Sequence, residues 1–143
     1  MTDLLIISCS RTKKHLDNVP AIELYDGQAY RVIRKSGHNN VSILTISAKY
    51  GLIGENDRIS YYDQLMTISR ATELRDQVSS GILRILSQGH FQGIFVYLGS
   101  PYNLAISRDL IEYMDEHHSL QIASGSIGKR LHQLKEWLGV TER

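Results

Sequence analysis

A chain of 143 residues with 42% hydrophobic and 22% charged residues has the size and composition of one folded domain around one core, not of a disordered segment. Its formal net charge of +1 excludes a strongly basic, general polyanion binder, so any affinity for phosphate must come from local placement of charge. No apolar run reaches the roughly eighteen residues of a membrane span, and the first residues lack the basic region and small-residue cleavage site of a signal peptide.

One cysteine leaves no internal disulfide framework, and a cytoplasmic, reducing setting is expected. The six histidines fall into no metal-ligand spacing. No metal and no cofactor are expected, and the oligomeric state stays open.

In chain order, Leu4-Leu5-Ile6-Ile7 is a continuous apolar run, as in a strand buried on both faces. A polar, basic loop follows, then a segment from Pro20 to Gly27 and a helix over about 28–35 closed by Gly37. The run from Val41 to Ser47 is β-branched and apolar and reads as the second strand. It passes directly into Ala48-Lys49-Tyr50-Gly51-Leu52, where the glycine signals a turn with positive φ.

After a long irregular stretch, Ala71, Leu74, Val78, Ile82 and Ile85 recur at spacings of three and four and line one helix face. Ser69 is the expected N-cap and Gly89 the expected stop. Ile94 to Leu98 is the third strand. Ser100-Pro101 reads as an N-cap and first-turn proline for a helix running to about Asp115. Leu120 to Ala123 is a short fourth strand, and Ser126 caps a last helix carrying Ile127, Leu131, Leu134 and Leu138, ended by Gly139.

The alternation predicts a single α/β domain over 1–143: three layers, a mostly parallel sheet of about four strands, and helices on both faces.

In an open parallel sheet, ligands bind beyond the carboxyl ends of the strands. Every strand here is followed by a loop of small or charged residues: Ser8 to Lys14, Lys49-Tyr50-Gly51, Gly99-Ser100, and Ser124-Gly125-Ser126. Arg11, Lys13 and Lys14 place cations beside Ser8 and Ser10, a set suited to phosphate or carboxylate.

Cys9, flanked by serines and near cations, has two readings: a nucleophile, or a small residue filling a tight corner. Lys49 is either ligand-facing or merely exposed, and Tyr50 either packs under its loop or stacks on a base. Lys129 and Arg130 lie in the first turn of the last helix, where cations oppose the dipole unless an anion is bound there. The Ser124 to Lys129 stretch lacks the spacing of a Walker loop. Asp63 or Glu23 offers a carboxylate base, and the loop from Arg58 to Asp63 a lid.

Cys9-Ser10, Lys14, the Ala21 to Gly27 segment and the block from Ser47 to Leu52 carry a family resemblance. They resemble a family of small bacterial and phage domains of unknown function, itself similar to the YaaA peroxide-stress proteins and to the core domain of archaeosine synthase. Cys9, Ser10 and Lys14 match the cysteine, serine and lysine of the archaeosine synthase motif. Ser8, His15 and Leu16 stand where that motif has proline, proline and tyrosine. Tyr61-Tyr62-Asp63 is similar to a proline-tyrosine element of YaaA-like proteins.

The resemblance implies a nucleotide-like or other anionic small-molecule ligand and a link to nucleic-acid modification, protection or stress response, with DNA or RNA as a possible partner. The expected site has Cys9, Lys49 and Asp63 as catalytic residues. Ser8, Ser10, Arg11, Lys13, Lys14, Tyr50, Gly51, Ser100, Ser126 and Lys129 bind the ligand. A transferase or hydrolase acting on a modified base or nucleotide and a non-catalytic nucleic-acid-binding module both stay open.

Overall fold

Apolar runs that alternate between two buried faces become the strands of one sheet in a computed structural model that describes residues 2–38 and 40–139. In chain order the elements are β1 (Thr2–Ser8), β2 (Val19–Pro20), α1 (Ala21–Leu24), α2 (Gln28–Ser36), β3 (Val41–Ser47), β4 (Gly51–Gly54), β5 (Arg58–Ile59), α3 (Ile68–Gln88), β6 (Phe91–Tyr97), a 3-10 turn (Tyr102–Ala105), α4 (Arg108–His117), β7 (Ser119–Ile122) and α5 (Ile127–Leu138). The main sheet has the order β4-β3-β1-β6-β7. The inner pairs β1–β3, β1–β6 and β6–β7 are parallel, and β4 adds an antiparallel edge. The four strands expected from the sequence are the parallel set. The fifth, β4, was hidden in the turn block, as was the small β2–β5 ribbon.

Successive residues of a strand face opposite sides of a sheet. Leu4, Ile6, Leu44, Ile46, Ile94 and Val96 therefore share a core with Ala71, Leu74, Val78, Ile82, Leu110 and Met114 of α3 and α4. Leu5, Ile7, Ile43 and Phe95 face the other way, onto Tyr30 and Ile33 of α2 and Leu134 of α5. This gives the three layers. Cys9 continues the alternation onto the α2–α5 side and is buried.

Two expected helix starts move. The long helix is capped by Thr67, whose side chain accepts from Arg70 N, rather than by Ser69. A hydroxyl caps the N–H three residues on, and Thr67 occupies that position for a helix beginning at Ile68. Ser100-Pro101 starts no helix. Its peptide is cis, a short 3-10 turn follows, and Ser107 caps α4 by accepting from Leu110 N. Gly37 (φ 77°) and Gly139 (φ 75°) end α2 and α5 as expected.

The loop leaving β1 is pinned to the α1–α2 corner. Lys14 N donates to Leu24 O and Asp26 N to Thr12 O, both at 2.9 Å. Arg34 closes the corner from α2, donating to Ile22 O (2.9 Å), Tyr25 O (2.7 Å) and Asp26 Oδ1 (2.7 Å). One guanidinium thus satisfies two backbone carbonyls and a carboxylate.

Arg34→Met keeps the stem and removes the fork. It is expected to lower stability by about 1–3 kcal/mol in urea unfolding, because two half-buried carbonyls lose their donor. Lys35→Ala next to it should stay within about 0.5 kcal/mol. The hydrogen bond from Arg31, assisted by Arg34, holds the Asp26 carboxyl below its ordinary value of 3.8. A lowered folded value favours the native state above the unfolded carboxylate range, and that contribution is lost as pH falls through the folded value. Asp26→Asn should therefore flatten the acid limb of a stability–pH curve below about pH 4.

Candidate functional site

The chain leaves β1 toward α2 on one face of the sheet and leaves β6 toward the 3-10 turn and α4 on the other. These adjacent parallel strands thus send their carboxyl-end loops in opposite directions, which opens the crevice characteristic of ligand sites in doubly wound sheets. A cavity of about 440 Å³ lies there. Ser8, Cys9, Ser10 and Arg11 from the β1 exit and Tyr97 and Gly99 from the β6 exit line it. The first turns of α2 (Gln28, Ala29, Tyr30) and α5 (Ile127, Arg130, Leu131) wall its open side.

The α2 terminus is bare in chemical terms. Its N-cap is Gly27, no side chain caps it, and its first turn carries no acidic residue. Uncapped first-turn N–H groups and the helix dipole favour an anion. Ser10 Oγ accepts from Gly27 N at 3.4 Å, joining the β1 loop to this terminus. At α5, Ser126 accepts from Lys129 N. The Arg130 guanidinium reaches back to Gly125 O (3.0 Å) and Leu98 O (3.3 Å), which bridges the loops after β7 and β6. With five donors, an arginine so held keeps N–H groups for a ligand.

Behind the cavity lies a set of buried hydroxyls. Thr45 and Ser47, on the α2–α5 side of β3, are almost wholly covered. Tyr30 Oη donates to Ser8 O (2.9 Å) and lies 3.2 Å from Thr45 Oγ1. Tyr62 Oη sits 2.8 Å from both Tyr25 Oη and Ser47 Oγ. Burial drives the phenols of Tyr25, Tyr30 and Tyr62 upward from their ordinary range, so all three stay protonated. Cys9 Sγ lies 3.1 Å from Tyr102 Oη.

Of the residues expected from the sequence, Ser8, Cys9, Ser10 and Arg11 line this cavity and the rest do not. Lys13 lies with its Nζ 4.5 Å from the centre of the Tyr62 ring, and Lys49 5.3 Å from that of Tyr50. The two rings meet edge to face. Lys14, Asp63, Ser100, Ser126 and Lys129 have exposed side chains on the same edge. The expectation that Cys9, Lys14 and Lys49 share one crevice is therefore corrected: they share the sheet edge, and Cys9 alone faces the cavity.

The turn block has a structural account. Ser47 Oγ accepts from Lys49 N and Tyr50 N, Arg70 donates to Ala48 O and Lys49 O, and Gly51 takes φ 74° where a Cβ would strike Gln77. Those residues build the β3–β4 reversal, and the Lys49 side chain points outward from it.

The sequence reading named none of Gly27, Tyr30, Tyr97 and Tyr102 as site residues, and of the first-turn cations Lys129 and Arg130 it assigned the ligand to Lys129, whereas Arg130 lines the cavity. A signal for the tyrosines was present. The chain has 8 tyrosines against 2 phenylalanines, and a buried phenol needs a partner that a phenyl ring does not.

Fold and cavity together define a doubly wound α/β protein with a cation-edged, largely apolar crevice at its switch point. Residues 4–136 match DUF6884, a family of unknown function, and the chain belongs to that family. A crystal structure of AF0587, also a protein of unknown function, is similar over 99% of this chain with a TM-score of 0.56 and 13% identity, a likeness of fold. The chain covers 46% of that protein, less than half its length. No curated protein matches the chain. Among the described residues no helix is long and apolar enough to cross a membrane, and no His, Cys, Asp and Glu cluster is arranged to hold a metal ion.

Gly27 tests the anion-facing terminus. A Cβ there would stand 2.9 Å from Ser10 Cβ, so Gly27→Ala must push the β1 loop off α2. A stability loss of about 1–3 kcal/mol is expected in denaturant titration, with anion affinity falling alongside it.

Proposed function

We propose that the switch-point cavity binds a nucleotide-like anion. On this reading the chain is a nucleobase-, nucleoside- or nucleotide-directed enzyme of the cytoplasm, linked to nucleic-acid modification or protection. The observation that carries the reading is the composition of one cavity. An uncapped helix terminus and two guanidinium groups, Arg11 and Arg130, stand beside flat or apolar walls from Tyr97, Ile127 and Leu131. Phosphate matches the first set and a heterocyclic base the second. Ile127 is 78% exposed, which suits a wall that a bound base would cover. The likeness of Cys9, Ser10 and Lys14 to the archaeosine synthase motif supports the same substrate class. Cys9 is the reactive group of this proposal, at the cavity floor. A transferase or hydrolase acting on a modified base is the reaction class.

A second reading is a non-catalytic DNA- or RNA-binding module of the YaaA type. It is favoured by Lys13, Lys14, Lys49 and Lys129, which form no ion pair among the described residues and follow the carboxyl ends of β1, β3 and β7. In that reading they follow a phosphate backbone, and Lys49 and Asp63 have no catalytic part.

Calorimetric titration with nucleoside monophosphates, nucleosides and inorganic phosphate separates the two. Saturable binding of a monophosphate, weakened by about 1–3 kcal/mol (roughly five- to 150-fold) in Arg11→Ala and in Arg130→Ala, is the expected result. Lys14→Ala and Lys49→Ala should leave that affinity unchanged. No binding of any monophosphate, together with oligonucleotide binding that falls steeply with salt and depends on Lys14 and Lys49, overturns the first reading for the second.

A further inference from the structure

We infer that Tyr97 is the residue through which the cavity tells one nucleobase from another, its hydroxyl meeting a heteroatom on the edge of the bound base. This assignment rests on the nucleotide reading of the cavity and deepens it by naming the group that sets base specificity. Tyr97 is the last residue of β6, two positions beyond Phe95 and so on the same face of the sheet, toward α2 and α5. Phe95 is fully buried, whereas Tyr97 is half-buried and lines the cavity. Its register partner on β1, Ile7, lines the cavity too, and Ile127 and Leu131 of α5 complete an apolar wall. In the side chains of these four residues the Tyr97 hydroxyl is the single polar group. A pocket that is apolar apart from a few placed polar groups takes its specificity from those groups.

The fold does not use that hydroxyl. Every other tyrosine packed on this face has a hydrogen-bond partner within the chain: Tyr25 and Tyr62 each other, Tyr30 Ser8 O, Tyr50 Ser60 O and Tyr102 the Cys9 sulfur. Tyr97 Oη has none among the described residues, and the ring's aromatic neighbour is Phe95, with centroids 6.3 Å apart. A phenylalanine would pack against Phe95 equally well, so packing accounts for the ring and leaves the hydroxyl to the cavity. Burial holds the phenol above its ordinary range, with the Arg130 guanidinium pulling the other way, so at neutral pH it keeps its proton and both donates and accepts. The anion-favouring terminus of α2 is joined to the β1 loop through Ser10 and Gly27, whereas Tyr97 stands at the β6 exit among apolar side chains. A base lacking the matching edge atom would leave the hydroxyl unpaired against an apolar wall, and such a loss discriminates more sharply than a change of shape.

Two measurements on the full chain and its Tyr97→Phe variant test this. In urea unfolding, Tyr97→Phe should leave the midpoint unchanged or raise it, because a half-buried hydroxyl without a partner is removed. Tyr30→Phe, which takes a donor from Ser8 O, should lower it. A lowered midpoint for Tyr97→Phe overturns the inference with no ligand present, since the hydroxyl then serves the fold. In calorimetric titration with the common ribonucleoside monophosphates, and with ribose 5-phosphate by competition, the native chain should prefer one base over the others. Tyr97→Phe should weaken the preferred monophosphate about five- to tenfold, level the ranking of bases and leave ribose 5-phosphate unchanged. An unchanged ranking, a native chain that binds all bases alike, or an equal loss for ribose 5-phosphate overturns the inference and leaves the nucleotide reading standing. The last of these would place the hydroxyl with Arg130 on the phosphate. A native chain that binds no monophosphate removes the nucleotide reading and the base-reading role together.

Discussion

A central parallel strand covered on both faces and paired on both edges has no freedom except at its ends. Strand β1 is such a strand, with β3 and β6 beside it and a helical layer on either face. Its run of Leu4, Leu5, Ile6 and Ile7 is almost wholly removed from water, and by ordinary area arguments each side chain contributes about 1.5–3 kcal/mol. Polar chemistry next to that strand has one place to go, the carboxyl end, where the chain turns away from β1 to one face and from β6 to the other. The cavity, the two helix termini and the cysteine all follow from this constraint.

The same constraint explains which parts of the molecule were legible in the sequence. Buried parallel strands announce themselves as continuous apolar runs: β3 was read to the residue, and β1 and β6 by their apolar centres, the structure extending β1 to Thr2–Ser8 and starting β6 at Phe91. Helices α2 and α5 carried glycine stops, and α3 carried a clear periodicity. Strand β4 was missed because it is short, glycine-flanked and continuous with the turn that creates it. Ser100-Pro101 carried two opposite meanings, helix start or tight cis turn, and only the tertiary course of the chain decides between them. Site residues divided in the same way. Ser8 to Arg11 were legible because they follow β1 directly. Arg130 and Tyr102 reach the cavity by folding from elements far along the chain, and spacing alone does not predict which of two adjacent cations, Lys129 or Arg130, turns inward.

The buried hydroxyls show how a polar site is kept open beside a hydrophobic core. Thr45 and Ser47 replace aliphatic side chains at the carboxyl end of β3, and Tyr25, Tyr30 and Tyr62 are turned toward them. Each oxygen is satisfied by another oxygen, so the polar layer does not leave uncompensated groups at the base of the crevice. Aliphatic packing would fill this end of the sheet to native density and leave no place for a ligand. The β1 loop is held from the other side by Arg34 and Asp26, so it lies between two fixed surfaces.

Trp137 gives this arrangement a built-in optical reporter. The only tryptophan of the chain sits on α5, with its ring 5.3 Å from that of Phe95 in β6. The same helix presents Ile127, Arg130 and Leu131 to the cavity from its first turns. The indole therefore packs where the helix meets the sheet, about two turns from Arg130 and Leu131 and nearly three from Ile127. Its emission is a measure of how firmly that helix is seated, read from a single residue without any label.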